Sequence, residues 1–315
     1  MTELKKIDAE YVKKVSEDVI KEVSNLIIGK GDVIRQVLYA LFCEGHVLLE
    51  DVPGVGKTML AKAFGTVFGL TTGRVQCTSD LLPSDVLGVN IYNQAKGEFT
   101  FRPGPVNNNI VLVDEINRAN PKTQSALLEC MEERQITSDG VTMPVPRPFM
   151  IIATQNPIEY EGTFSLPEAQ LDRFFLKTSI GYPDFDSEFA ILDQKDSQKD
   201  KLVKPLEPLP DLMAIREFVE NIYVEEGVKK YIISLVRATR EDSSVFLGSS
   251  PRGSIALQHA AKAVAAIEGR DYVIPDDVKK VVHPILEHRI RLSYSDSSSI
   301  SSFLDKIMNS VSVPT

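Results

Sequence analysis

The sequence predicts an α/β fold with a mostly parallel central sheet, followed by a smaller all-helical domain, and three observations carry that prediction. A glycine-rich stretch ending in Gly56-Lys57-Thr58 lies between a short apolar run and a helical pattern. Two more apolar runs, at 109–115 and 148–156, alternate with helical periodicity, as βα units around a parallel sheet do. Beyond "GYPDFD" (181–186) the chain reads as helical almost throughout. The expected division is therefore residues 1–182 for the α/β part with its N-terminal helices and 183–315 for the helical part.

Taken in order, residues 8 to 27 and 32 to 43 show apolar positions near a 3.6-residue period and predict two amphipathic helices. "HVLLE" (46–50) suits a buried strand. After the glycine-rich turn, Met59, Leu60, Ala63, Phe64 and Val67 fall on one face of the next helix. Asn120 caps and Pro121 opens a helix through "KTQSALLECMEERQ". Two stretches read as hairpins: 84–105, turning at Ala95-Lys96-Gly97, and 134–149, turning at Asp139-Gly140. The later helices run through "DLMAIREFVENIY", "EEGVKKYIISLVRATRE", "SPRGSIALQHAAKAVAAIEG" and "IPDDVKKVVHPILEHRI". A serine run at 293–302 reads as a solvated connector.

Composition narrows the function classes. The 315 residues are 43% hydrophobic and 25% charged, a globular balance, and a net charge of −9 counts against a broad footprint for nucleic acid or an anionic membrane. Cys43, Cys77 and Cys130 lack any CxxC spacing, so they read as packing residues of a reducing compartment rather than disulfides or zinc ligands. The N-terminus has no signal-like apolar run and no segment is long enough to span a membrane, so a soluble, cytoplasmic protein is expected.

The glycine-rich stretch is "EDVPGVGKT". In a phosphate loop, backbone N–H groups and a helix N-terminus wrap the phosphates, the lysine neutralises the outer ones and the hydroxyl holds Mg²⁺. Gly54, Gly56, Lys57 and Thr58 meet those demands. Asp51 stands where the first glycine of GxxxxGK[ST] belongs, and can share the turn-opening role with Val52-Pro53, so that glycine there is tolerated if the turn is its only task. "IVLVDEIN" puts Asp114 and Glu115 at the end of an apolar strand, beside such a loop in a doubly wound sheet. Asp114 can support Mg²⁺ and Glu115 can polarise a water for in-line attack. Asn156 could orient that water, or serve only the turn before Pro157. Arg173 could complete the site, or form an ion pair with a carboxylate such as Asp172. Arg252 lies in the first turn of a helix capped by Ser250 and opened by Pro251, where a cation opposes the helix dipole unless an anion sits in front of it.

The run "VLVDEINRANPKTQSALLECMEERQIT", together with "EDVPGVGKT", "ATQNP", "LPEAQLDRF", "SPRGSIALQHAAKA" and "GRDYVIPDDV", resembles the MoxR-type AAA+ ATPases over roughly residues 20 to 292. Members commonly depart from the full loop pattern at its first position. The resemblance implies ATP and Mg²⁺ as ligands and an AAA+ phosphate-loop domain followed by a helical lid. It implies the stretch Pro53, Gly54, Val55, Gly56, Lys57, Thr58 and Met59 as the nucleotide-binding loop, with Lys57 and Thr58 its Walker A residues and Thr58 and Asp114 on the metal. It makes Asp114 and Glu115 the Walker B pair, Asn156 sensor 1, Arg173 the arginine finger, Arg252 sensor 2, and Ile28 and Gly29 the backing of the adenine. It also implies a ring, generally a hexamer, with nucleotide between subunits.

By the same resemblance the expected activity is ATP hydrolysis driving the remodelling, maturation or assembly of separate client proteins, von Willebrand factor A domain proteins among them. In similar proteins the two hairpins touch substrates. The alternative is an AAA+ motor acting on nucleic acid, against which the acidic balance and the lack of lysine or arginine runs both count. A third reading, a scaffold that binds ATP without turnover, fits poorly with Glu115, Asn156 and Arg173 together.

Overall fold

A computed structural model describes residues 7–95, 97–138, 140–156, 162–196, 202–293 and 299–314. Two helices, α1 (Ala9–Ser24) and α2 (Gly31–Phe42), precede strand β1 (Val47–Glu50) and helix α3 (Lys57–Phe68). There follow β2 (Thr72–Gln76), a short α4 (Pro83–Leu87), β3 (Gly88–Asn93), β4 (Glu98–Pro103), β5 (Ile110–Asp114) and α5 (Pro121–Glu133). Next come β6 (Gln135–Ser138), β7 (Val141–Pro144), β8 (Met150–Gln155), α6 (Glu168–Leu171) and β9 (Leu176–Thr178). The remainder is mainly helical: α7 (Phe185–Asp196), α8 (Leu212–Glu220), α9 (Glu226–Glu241), α10 (Pro251–Ile267), α11 (Pro275–Leu286) and α12 (Ile300–Ser310).

The central sheet runs β2-β5-β8-β1-β9 and every pairing within it is parallel. Its middle strands are apolar because both faces are covered: Val47 to Leu49, Ile110 to Val113 and Met150 to Ala153 are all buried. Register then fixes the site. Glu50 lies opposite Gln155, and Gln76 opposite Asp114, so β1, β5 and β8 deliver their C-terminal ends to one edge, with β8 between the other two.

On one face of the sheet a continuous apolar core joins α1, α2 and α3 to α8 through α12. On the other, β5 and β8 pack against α5, Val86, Ile136 and Phe149. The cysteines belong to this packing, since burial pushes the thiols of Cys43, Cys77 and Cys130 up to about 12.

Both hairpins form, but shorter than the sequence suggests. The first occupies Gly88 to Pro103, because Pro83 opens a helical turn over residues the alternation had assigned to a strand. The second pairs Gln135–Ser138 with Val141–Pro144. Lys96 and Asp139 of the two turns, Pro157, and residues 294–298 of the serine run lie outside the described residues.

Candidate active site

The loop between β1 and α3 takes its shape from two glycines. Gly54 and Gly56 have φ of 87° and 95°, a region costly for any residue with a Cβ, and a Cβ on Gly54 would point into open space where a ligand can approach. Lys57 and Thr58 open α3 with no acidic residue in its first turn. Met59 is 46% exposed while Leu60, Ala63, Phe64 and Val67 are buried, so Met59 leaves the apolar face on which the sequence had placed it. It borders instead a cavity of about 260 Å³ lined also by Pro53, Gly54, Gly56, Lys57, Thr58, Arg74, Gln76, Asp114, Glu115, Thr154 and Asn156.

Seven of the predicted site residues beyond the glycines therefore share one cavity, Pro53, Lys57, Thr58, Met59, Asp114, Glu115 and Asn156, while Val55 is not in its lining. Glu115 holds a left-handed backbone, φ 57°, that costs on the order of 1–2 kcal/mol for a non-glycine residue. Its amide donates to Thr154 Oγ1 (2.9 Å), which turns the side chain toward the end of β2. There Gln76 Nε2 and Arg118 Nη1 donate to Glu115 Oε2, at 3.1 and 3.0 Å, while Arg74 Nε donates to Asp114 Oδ2 at 2.9 Å.

Arg74, Gln76 and Thr154 are members of the site that the sequence reading missed. Their signal was the alternation in "GRVQ", which puts Arg74 and Gln76 on one face of a strand. The strand itself was overlooked because Val75 is its only buried residue.

Asp51 does other work than opening a turn. Its carboxylate is buried and accepts from Ser179 Oγ (2.7 Å), Ile180 N (2.7 Å) and Gly181 N (2.8 Å), while its carbonyl accepts from Lys57 Nζ (2.9 Å). It clamps the phosphate loop to the segment that follows β9. Burial lowers the Lys57 pKa and the neighbouring Asp51, Asp114 and Glu115 oppose that shift.

Ile28 and Gly29 stand outside this cavity's lining. A Cβ on Gly29 would collide with Ser187 of α7, and it is Ile27 that reaches toward Gly56. The adenine-backing expectation thus falls beside the loop, against the start of the helical part.

Arg173 and Arg252 are also absent from the lining and are held together elsewhere. Both pair with Glu132 of α5, at 3.1 and 2.6 Å, and Arg173 Nη1 donates to the Leu128 carbonyl (2.9 Å). The ion pair weighed for Arg173 does form, with Glu132 rather than Asp172. Asp172 instead accepts from Ser250 Oγ (2.9 Å) and Arg289 Nε (2.8 Å), and Arg289 Nη2 donates to the Phe174 carbonyl (2.6 Å). The residues on either side of Arg173 are thereby fastened to the helical part. Ser250 caps α10 by accepting from Arg252 N, as its sequence position predicts.

The donor set suits a hard cation: a threonine hydroxyl and a carboxylate, Thr58 and Asp114, border the same cavity. A glycine-shaped loop at a helix N-terminus, with two carboxylates and a buried asparagine at the ends of adjacent parallel strands, is the arrangement expected of a phosphate-loop NTPase. Comparison with known proteins narrows the class. Residues 46–176 match the model of the ATPase family associated with various cellular activities (AAA), and residues 237–307 match the AAA lid domain. Chaperone MoxR1 of Mycobacterium tuberculosis is 41% identical over 95% of this chain and 82% of that one. Protein MoxR of Paracoccus denitrificans is 31% identical over 88% of each. A Bacillus subtilis protein of uncharacterized function, YeaC, is 48% identical over 94% of this chain and 93% of its own. A crystal structure of a Cytophaga hutchinsonii protein assigned as an ATPase superposes with a TM-score of 0.89 at 38% identity, covering 98% and 97% of the two chains. The chain belongs to the MoxR-type AAA+ ATPases. No helix among the described residues is long and apolar enough to cross a membrane.

Proposed function

We propose that the protein hydrolyses ATP between subunits of a ring, generally a hexamer in this family, and uses the cycle to remodel or assemble separate protein clients. Lys57 and the loop amides hold the phosphates, Glu115 takes the proton of the attacking water and Asn156 orients that water. Thr58 and Asp114 would hold a Mg²⁺ ion, which would supply charge neutralisation for the phosphates. Arg173 and Arg252 serve the nucleotide of the neighbouring subunit. Clients with von Willebrand factor A domains remain the expected class.

One observation carries the reading: the two arginines stand apart from their own loop's cavity, sharing Glu132 on an accessible face, with side chains 31% and 53% exposed. A cation meant for the nucleotide of its own chain would border the loop cavity.

Two damaged variants test it. Glu115→Gln should lose about two orders of magnitude in turnover, and Arg173→Ala about three, each with ATP affinity retained. Mixing them should restore part of the phosphate release, because an Arg173→Ala subunit keeps its own Glu115 and can receive Arg173 from a Glu115→Gln neighbour. Demonstrably mixed oligomers that stay inactive at every ratio would reject the arrangement.

A further inference from the structure

A second cavity, which shares no lining residue with the phosphate-loop cavity, lies where the sheet part meets the helical part. It measures about 240 Å³ and is bordered by Cys43 and Glu44 after α2, Arg134 after α5, Arg216 of α8, and His259 and Lys262 of α10. Its chemistry is lopsided. Glu44 is the hub: its Oε2 accepts from Arg134 and Arg216, and its Oε1 from Arg147 (3.0 and 2.8 Å). Three guanidiniums therefore share one carboxylate.

That carboxylate has no capacity left. Burial pushes the Glu44 pKa up, but hydrogen bonds from Arg216 and Arg147 and the charges of Arg216 and Arg134 hold it at about 2. The arginines, in contrast, are under-supplied. Arg216 Nε is buried with no hydrogen-bond partner among the described residues, and its Nη1 meets only the Met213 sulfur at 3.6 Å. Lys262 adds a further cation, donating to the carbonyl rather than the carboxylate of Glu220. Among the residues that border the cavity, Arg134, Arg216 and Lys262 stand against Glu44 and Glu220, an excess of one positive charge, and Arg147, bound to Glu44 from outside the lining, raises it to two. Excess positive charge and unmade guanidinium bonds in a partly desolvated cavity are costly unless an anion with several acceptor oxygens completes them.

We propose that this cavity is a binding site for a phosphoryl group, distinct from the nucleotide site, in which Arg134, Arg216 and Lys262 supply the donors. A tetrahedral oxyanion matches the donors in charge and in its number of acceptor oxygens. The cavity is too small for a folded partner, which restricts the occupant to free phosphate or a small phosphate ester. Because Arg134 belongs to the sheet part and Arg216 and Lys262 to the helical part, an occupant joins the two. The site therefore serves an effector, and it stands whether or not the proposed ring chemistry does.

The test uses the full chain carrying Lys57→Ala, which removes the phosphate loop's cation. Titration calorimetry with orthophosphate and, separately, with glycerol 3-phosphate should show saturable binding, weakened about tenfold by adding Lys262→Gln. Lys262 takes no part in the Glu44 cluster, and an unchanged thermal melt confirms that the fold is kept. Equal affinity for both probes marks the free ion as occupant, and tighter binding of the ester marks a phosphorylated metabolite. Crystals soaked in tungstate should carry an anomalous peak between Arg134, Arg216 and Lys262. Absence of saturable binding by either probe, or a tungstate peak only at the loop formed by residues 53–58, would overturn the proposal.

Discussion

Asp51 shows how one residue can look like an imperfection and act as a fastening. Its sequence position suggested a substitute for a turn glycine, whereas its carboxylate accepts three hydrogen bonds from Ser179, Ile180 and Gly181. Hydrogen bonds to a buried charge contribute about 1.5–3 kcal/mol each, and those on one carboxylate are not additive. Asp51→Gly should therefore lower stability by roughly 2–4 kcal/mol. Asp51→Asn, which retains one acceptor oxygen, should fall between it and the parent. Equilibrium urea denaturation decides the matter, and a glycine variant within about 0.5 kcal/mol of the parent would mean that the clamp contributes nothing. No local rule could have revealed the partners, because they lie about 130 positions away in sequence, and a carboxylate before Pro-Gly reads equally well as a turn.

Among the elements, the ones legible in the sequence were those with covered faces. β1, β5 and β8 are central and apolar, so their runs stand out, whereas the edge strands β2 and β9 have too few buried residues to show a period. The site inherits that pattern: Lys57, Thr58, Asp114, Glu115 and Asn156 follow legible strands, while Arg74 and Gln76 sit on a hidden one. The grouping of Arg173 with Arg252 over Glu132 needed the tertiary fold.

Just before β1, His46 ties two elements together. Its Nδ1 accepts from Ile151 N of β8 (2.9 Å), and its Nε2 lies 3.1 Å from the Met131 carbonyl of α5, which requires the neutral ring with its proton on Nε2. Burial lowers its pKa to about 4 from the ordinary 6.5. The unfolded chain thus takes up a proton that the folded one refuses. Stability is complete above about pH 6.5 and is lost as pH falls toward 4, by about 3 kcal/mol in all. His288, buried beside Arg289 and shifted in the same direction, adds to that loss. Urea midpoints measured from neutral pH downward should show the decline, and His46→Gln, which can both accept and donate, should flatten it. An unaltered slope in that variant would remove His46 from the account.

For the whole molecule, the expected boundary near residue 183 divides the chain but not its apolar interior. Val12 of α1, Phe64 of α3, Ile215 of α8, Leu257 of α10 and Leu304 of α12 belong to one buried cluster, so neither part can open without exposing the other. Scanning calorimetry should accordingly give a single transition whose calorimetric and van't Hoff enthalpies agree. Two resolved peaks would show that the parts unfold separately.

The Glu132 pairing has a consequence at this scale. An acidic protein of net charge −9 that displays two adjacent guanidiniums offers stray polyanions such as RNA a foothold there. Glu132 sheathes both cations in the lone subunit, so a loosely placed phosphate backbone must compete with a carboxylate already seated at 2.6 and 3.1 Å. In the proposed ring, a nucleotide presented in register by a docked neighbour would bring several oxygens at once and win that exchange. One glutamate would in this way screen the arginines from casual encounters and leave them available to a partner of the right shape.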